Sequence, residues 1–111
     1  VPVGAMLFTT PDNPLGRVYR SDEIEEILSW AERRRVQVVF DEIYALSVYG
    51  ARPFTSVAAV RRSLGNYIHV VWAFSKDFGA SGLRCGVLVS ESPAVNAAVD
   101  ALAHLRQSET V

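Results

Sequence analysis

Cysteine is nearly absent from these 111 residues: Cys85 stands alone, so no internal disulfide can form and reducing surroundings fit best. Charge of one sign is equally scarce. A formal net charge of -1 supplies no long-range field to gather nucleic acid or anionic lipid, and neither partner is expected. No apolar run approaches the roughly 20 residues of a membrane span, and the first residues lack the basic-then-apolar layout of a signal peptide. Cytoplasmic location is the expectation. His69 and His104 have no cysteine or histidine at metal-ligand spacing, so no metal site is expected either. An initiator methionine is missing too: the chain opens straight into Val1-Pro2-Val3-Gly4-Ala5-Met6-Leu7-Phe8, and it reads like a piece of something longer.

What the chain does have is the composition of a soluble globular protein, with 50% apolar and 21% charged residues. Ala5 to Thr9 is a short apolar run stopped by Thr10-Pro11-Asp12-Asn13-Pro14-Leu15-Gly16, which reads as a strand followed by a turn-rich loop. Ser21 can cap a helix with acidic residues in its first turns, an inward stripe of Ile24, Ile27, Leu28 and Ala31, and Arg33-Arg34-Arg35 at its negative end. Val36 to Phe40 is a second strand and ends directly in Asp41-Glu42-Ile43-Tyr44. The pattern then predicts a helix from Ser56 to Leu64, a strand from Ile68 to Ala73, a strand from Gly86 to Val89, and a helix begun by Pro93 with Val95, Val99, Leu102 and Leu105 on one side. Cys85, Trp30 and Trp72 read best as packing residues.

This order of strands and helices indicates an α/β layered architecture, in which ligands gather beyond the carboxyl ends of the strands. Asn13, Asp41, Tyr44, Ser75 and Lys76 all fall just there. Taken singly each is ordinary, since Asn-Pro marks turns everywhere and a Ser-Lys pair is common. Together they suit one cofactor, pyridoxal 5'-phosphate. Its chemistry asks for a lysine amine to form an imine and an acid near the ring nitrogen to keep that nitrogen protonated, which Lys76 and Asp41 can supply. Burial at a strand end would push Asp41 toward neutrality, whereas a cationic ring nitrogen beside it would keep it ionised. Arg84 offers a fork of donors and Ser75 a hydroxyl for a phosphate, and Asn13 and Tyr44 have side chains suited to the ring hydroxyl. Gly79 and Gly82 are expected to let the connecting backbone run close.

Four spaced motifs now stand in order: Asn13-Pro14-Leu15-Gly16, Asp41-Glu42-Ile43-Tyr44, Ser75-Lys76, and Gly82-Leu83-Arg84-Cys85-Gly86. In this the chain resembles the fold-type I pyridoxal-phosphate enzymes of the class I/II aminotransferases. Ser75-Lys76-Asp77-Phe78-Gly79 with Ser81-Gly82-Leu83-Arg84 looks most like the 1-aminocyclopropane-1-carboxylate synthases and their synthase-like relatives. The resemblance implies that Asn13 and Tyr44 contact the ring hydroxyl, Asp41 the ring nitrogen, Lys76 the aldehyde carbon, and Ser75 and Arg84 the phosphate. One departure is Ala73, where most members place a phosphate-binding serine three residues before the lysine.

The same resemblance implies that residues 1-111 are part of the large domain, a three-layer α/β/α unit whose sheet is mostly parallel with one antiparallel strand. The small domain and the N-terminal part of the large domain would then lie outside this chain. It implies a homodimer and an amino-acid substrate, with S-adenosylmethionine the substrate if the synthase likeness extends to chemistry and Lys76 then serving as the α-proton base. Two other readings stand beside it: an ordinary amino-acid aminotransferase, and a non-catalytic module that keeps the fold without the chemistry.

Overall fold

The computed structural model describes residues 2-51 and 53-107. Its elements are β1 (Ala5–Thr9), α1 (Ser21–Arg34), β2 (Gln37–Asp41), α2 (Val57–Val60), β3 (Ile68–Ala73), α3 (Phe74–Asp77), a 3-10 turn at Ser81–Leu83, β4 (Gly86–Ser90) and α4 (Pro93–Gln107). The strands form one sheet in the order β1-β2-β3-β4. β1, β2 and β3 run parallel and β4 returns antiparallel to β3, the mixed sheet expected. The two parallel connections pass through α1 and α2, as parallel pairs require a crossover.

Alternation along the strands decides which face is covered. Val38 and Phe40 of β2 lie in register with Ile68 and Val70 of β3, and all four are buried against Ile24, Leu28 and Ala31 of α1 and Val57 of α2. Complete burial of a side chain such as Phe40, Ile24 or Leu28 stabilises the fold by about 1.5–3 kcal/mol. The opposite face, which carries Leu7, Val39, Val71 and Leu88, is covered only in part, and Leu7 is 67% exposed. The apolar side of α4 is also open at Val99 and Leu102.

Local chemistry moves several expected boundaries. The residue capping α1 is Arg20 and not Ser21, because the Glu23 carboxylate accepts the Arg20 backbone N–H at 2.8 Å while the Arg20 guanidinium pairs with Asp22. Arg35 closes the helix in the left-handed region at φ 54°, with Arg33 and Arg34 in the last turn as the dipole favours.

The helix expected from Ser56 to Leu64 is helical only over Val57–Val60. Arg61 turns out to an extended backbone, and its guanidinium bonds to Glu25 at 2.6–3.0 Å and to Glu32 at 2.9 Å, both on α1. Leu64 then enters the core at 4% exposure. Ion pairs and burial thus override local helix propensity. One packing expectation fails: Cys85 is exposed just before β4, an edge strand among the described residues, whereas Trp72 is half-buried, edge-on to Phe74 and Phe78, with its indole N–H on Asp77. Trp30 is half-buried and packs against the core cluster.

Candidate functional site

Hydrogen bonds at the carboxyl ends of β1, β2 and β3 draw three loops together. Thr10, fully buried, donates its N–H to the Asp41 carbonyl at 2.9 Å, so the chain leaves β1 still attached to β2. The next residues close on themselves: Gly16 N–H reaches the Asp12 carbonyl at 2.8 Å, and Asp12 N–H reaches Arg17 at 2.9 Å. Asn13 is exposed on this loop. Asp41 is the last residue of β2, in register with Thr9 on one side and Val71 on the other. Its Oδ1 accepts the Ile43 N–H at 3.0 Å, and Oδ2 has no partner among the described residues.

After Asp41 the backbone is held by Glu42, whose N–H donates to Val71 O at 2.9 Å. Glu42 is 4% exposed and its carboxylate accepts the Val57 N–H at 2.7 Å, so it ends the loop as well as beginning it. Burial pushes this carboxyl above its ordinary range, against the opposing pull of hydrogen bonds from Val57 and Ser56. Between these points Ala45 N–H bonds to Glu42 O and Ser47 N–H to Tyr44 O, at 2.8 and 3.0 Å, and the turn presents a half-buried Tyr44.

β3 runs without a break into α3, which carries a half-buried Ser75 and an exposed Lys76. Phe74 N–H donates to Cys85 O at 3.3 Å, which keeps the start of β4 beside the lysine turn. The glycines here differ in their reasons. Gly79 has φ +61° and nothing within 4 Å of a built Cβ, so it serves a left-handed turn and not a close approach. Gly86 does approach closely, since a Cβ would lie 3.1 Å from Trp72 O. Gly82 meets neither condition, contrary to the expectation for it.

Asn13 and Tyr44, 31 positions apart in the chain, line one cavity of about 230 Å³ together with Ser47. The other expected residues are brought to the same end of the sheet, and among the described residues none of the side chains of Asn13, Asp41, Tyr44, Ser75, Lys76 and Arg84 hydrogen-bonds another. Arg84, at φ 49°, folds one guanidinium N–H onto Ser81 O at 2.9 Å, and its remaining donors have no partner among the described residues. A hollow of about 390 Å³ between β1 and α1, walled by Phe8, Tyr19 and Trp30, is lined by none of these residues.

Asp77 was not anticipated. Its Oδ2 accepts the Trp72 indole N–H at 2.9 Å and the Leu46 N–H at 3.0 Å, and its Oδ1 accepts the Ser47 hydroxyl at 2.7 Å. Partial burial pushes this carboxyl up, and the three donors outweigh it, so its pKa lies below the ordinary range. A carboxylate five residues after a tryptophan was the local signal. Its other partners, thirty residues away, carried none.

Comparison with known proteins fits this arrangement. The model of the aminotransferase class I and II family matches residues 1–109. 1-Aminocyclopropane-1-carboxylate synthase-like protein 1 of Homo sapiens is 43% identical over 104 residues, covering 92% of this chain and 21% of that protein. Probable inactive 1-aminocyclopropane-1-carboxylate synthase-like protein 2 of the same organism is 40% identical over 106 residues, covering 93% of this chain and 18% of that protein. Among solved structures, cystalysin from Treponema denticola, which contains a pyridoxal 5'-phosphate cofactor, superposes with a TM-score of 0.72 at 25% identity, covering 82% of this chain and 23% of that one. The chain therefore spans about a fifth of the length of these curated relatives. With that match over nearly its whole length and a mixed sheet whose polar motifs meet at the strand ends, the chain belongs to the class I and II aminotransferase family, a pyridoxal-phosphate-dependent family.

Proposed function

We propose that these residues are part of the large domain of a longer, cytoplasmic, homodimeric enzyme that acts on an amino acid, with Lys76 as the residue that holds pyridoxal 5'-phosphate. The observation that carries this reading is the convergence of three loops at the ends of β1, β2 and β3, where Asn13 and Tyr44 share a cavity. The donor set fits the group by its chemistry: an amine without an ion-pair partner among the described residues, a carboxylate with a free oxygen, a phenol and an amide, and a hydroxyl and a guanidinium with spare donors. When bound, the cofactor would supply an electron sink for the α-carbon of an amino acid.

Each side chain then has a task. Lys76 Nζ would hold the cofactor covalently and, when free, could serve as the base for the substrate's α-proton. The Asp41 carboxylate would hold the ring nitrogen and keep it protonated. Asn13 and Tyr44 would hold the ring hydroxyl, and Ser75 and Arg84, with its spare N–H donors, would hold the phosphate. Ala73 leaves one phosphate donor fewer, which places more of that binding on Arg84.

The likeness to the synthase-like relative favours S-adenosylmethionine as substrate, with elimination at its γ-carbon and ring closure. Amino transfer is the second reading, favoured by the family description, and a non-catalytic module is the third, favoured by the relative whose name calls it inactive. The test uses the full-length protein saturated with pyridoxal phosphate. Borohydride reduction followed by peptide mapping should mark Lys76, and Lys76→Ala should abolish the visible absorbance of the attached cofactor. An unmodified Lys76 would refute the attachment and leave the non-catalytic reading. Release of methylthioadenosine without a keto-acid acceptor separates elimination from amino transfer, which needs the acceptor.

A further inference from the structure

α3 is only four residues long, and a single turn is not held by its own backbone. Its local support is thin: Gly79 N–H reaches Lys76 O, and Ala80 N–H reaches Phe74 O, each at 3.2 Å. What fixes the lysine turn must come from elsewhere in the fold. On one side Trp72, Phe74 and Phe78 form an aromatic cluster, with Trp72 edge-on to Phe74 at 4.9 Å and to Phe78 at 5.9 Å between ring centroids. On the other side stands the Asp77 carboxylate, the residue after the lysine.

Asp77 joins the two halves of the site. Through Oδ2 it takes the indole N–H from the end of β3 and the Leu46 N–H from the loop after β2, and through Oδ1 it takes the Ser47 hydroxyl. No cation pairs with it among the described residues, so its charge is met wholly by neutral donors. Hydrogen bonds to an ionised acceptor are the stronger kind. Ser47 in turn donates its N–H to Tyr44 O at 3.0 Å and lines the cavity shared by Tyr44 and Asn13. Two hydrogen bonds through one serine therefore connect the residue beside Lys76 to the backbone of Tyr44.

We infer that Asp77 is a positioning residue, which sets the Lys76 turn against the Tyr44 loop and thereby fixes how a cofactor attached at Lys76 lies against the residues from β2. This rests on the reading of Lys76 as the attachment point. Without Asp77 the Leu46 N–H loses its acceptor, and the loop loses both of its hydrogen bonds to the lysine turn.

The test uses the full-length protein with pyridoxal phosphate and four variants: Lys76→Ala, Asp77→Ala, Asp77→Asn and Ser47→Ala. Asp77→Ala should weaken cofactor binding about tenfold, the equivalent of one charge-assisted hydrogen bond. At saturating cofactor it should also lose most of the visible circular dichroism per bound cofactor, a signal of orientation that a purely structural role would leave intact. Asp77→Asn should restore most of both, because a carboxamide oxygen can still accept from Trp72 and Leu46 while the Ser47 hydroxyl turns to accept. Ser47→Ala should fall between. Parent-like dichroism and affinity in Asp77→Ala, with the cofactor signal lost in Lys76→Ala, overturn the positioning role alone. Persistence of the signal in Lys76→Ala overturns the attachment reading instead. Should Asp77→Ala fail to fold, Ser47→Ala decides: an unchanged dichroism there overturns the inference.

Discussion

Replacing Glu42 tests whether the loop between Asp41 and α2 is held by a buried carboxylate. The residue is 4% exposed and its carboxylate accepts the Val57 N–H at 2.7 Å. Glu42→Ala would leave that N–H buried without an acceptor, a loss of about 1–3 kcal/mol, with the vanished side-chain packing added to it. Glu42→Gln keeps an oxygen for Val57 and removes the buried charge, so at neutral pH it should lie within about 1 kcal/mol of the parent. The pH dependence follows from burial, which raises the folded carboxyl above its unfolded value. Between those two values the native state holds the proton that the unfolded chain has lost. Stability should therefore fall as pH rises through that window and stay level above it, and Glu42→Gln should remove the slope. Urea unfolding at a series of pH values measures both quantities. If the glutamine variant were as damaging as alanine, or the slope persisted in it, the assignment of Glu42 would be wrong.

Two further outcomes follow from the geometry. His69 is 3% exposed between Gln37 and Ser90, whose side chains meet its ring nitrogens at 2.7 and 2.8 Å, and burial lowers its pKa. The unfolded chain thus takes up a proton before the native one does, so stability should be complete above about pH 6.5 and decline on acidification below it. His69→Gln should flatten that decline in the same urea series. Gly79→Ala should cost about 1 kcal/mol for its left-handed backbone, whereas Gly82→Ala should stay within about 0.5 kcal/mol; thermal melting of the two variants separates them.

The strands, and the polar residues that follow them, were legible for a local reason. A strand buried on one face declares itself within a few residues, and Asn13, Asp41, Tyr44 and Lys76 each follow the end of such a strand within a short stretch. α2 was less legible, because the residue that ends it, Arg61, answers to Glu25 and Glu32 on another helix. Ser21 read as a cap for the same kind of reason: it has the preferred residue type, but Glu23 reaches one position further back to Arg20. Cys85 looked like core by composition, and its exposure beside an edge strand decided otherwise.

Sequence alone determined the alternation of strand and helix, the face that α1 buries, and the placing of the candidate polar residues just after the strands, since these depend on periodicity and on residue type at strand ends. Tertiary structure alone decided that Asn13 and Tyr44 share a cavity, that Glu42 closes its loop on α2, and that Asp77 fastens the lysine turn to Leu46 and Ser47. Each of those contacts joins segments 15 to 31 residues apart. Hydrogen bonds form between neighbours in space, and sequence spacing carries no record of which loops the sheet will bring side by side.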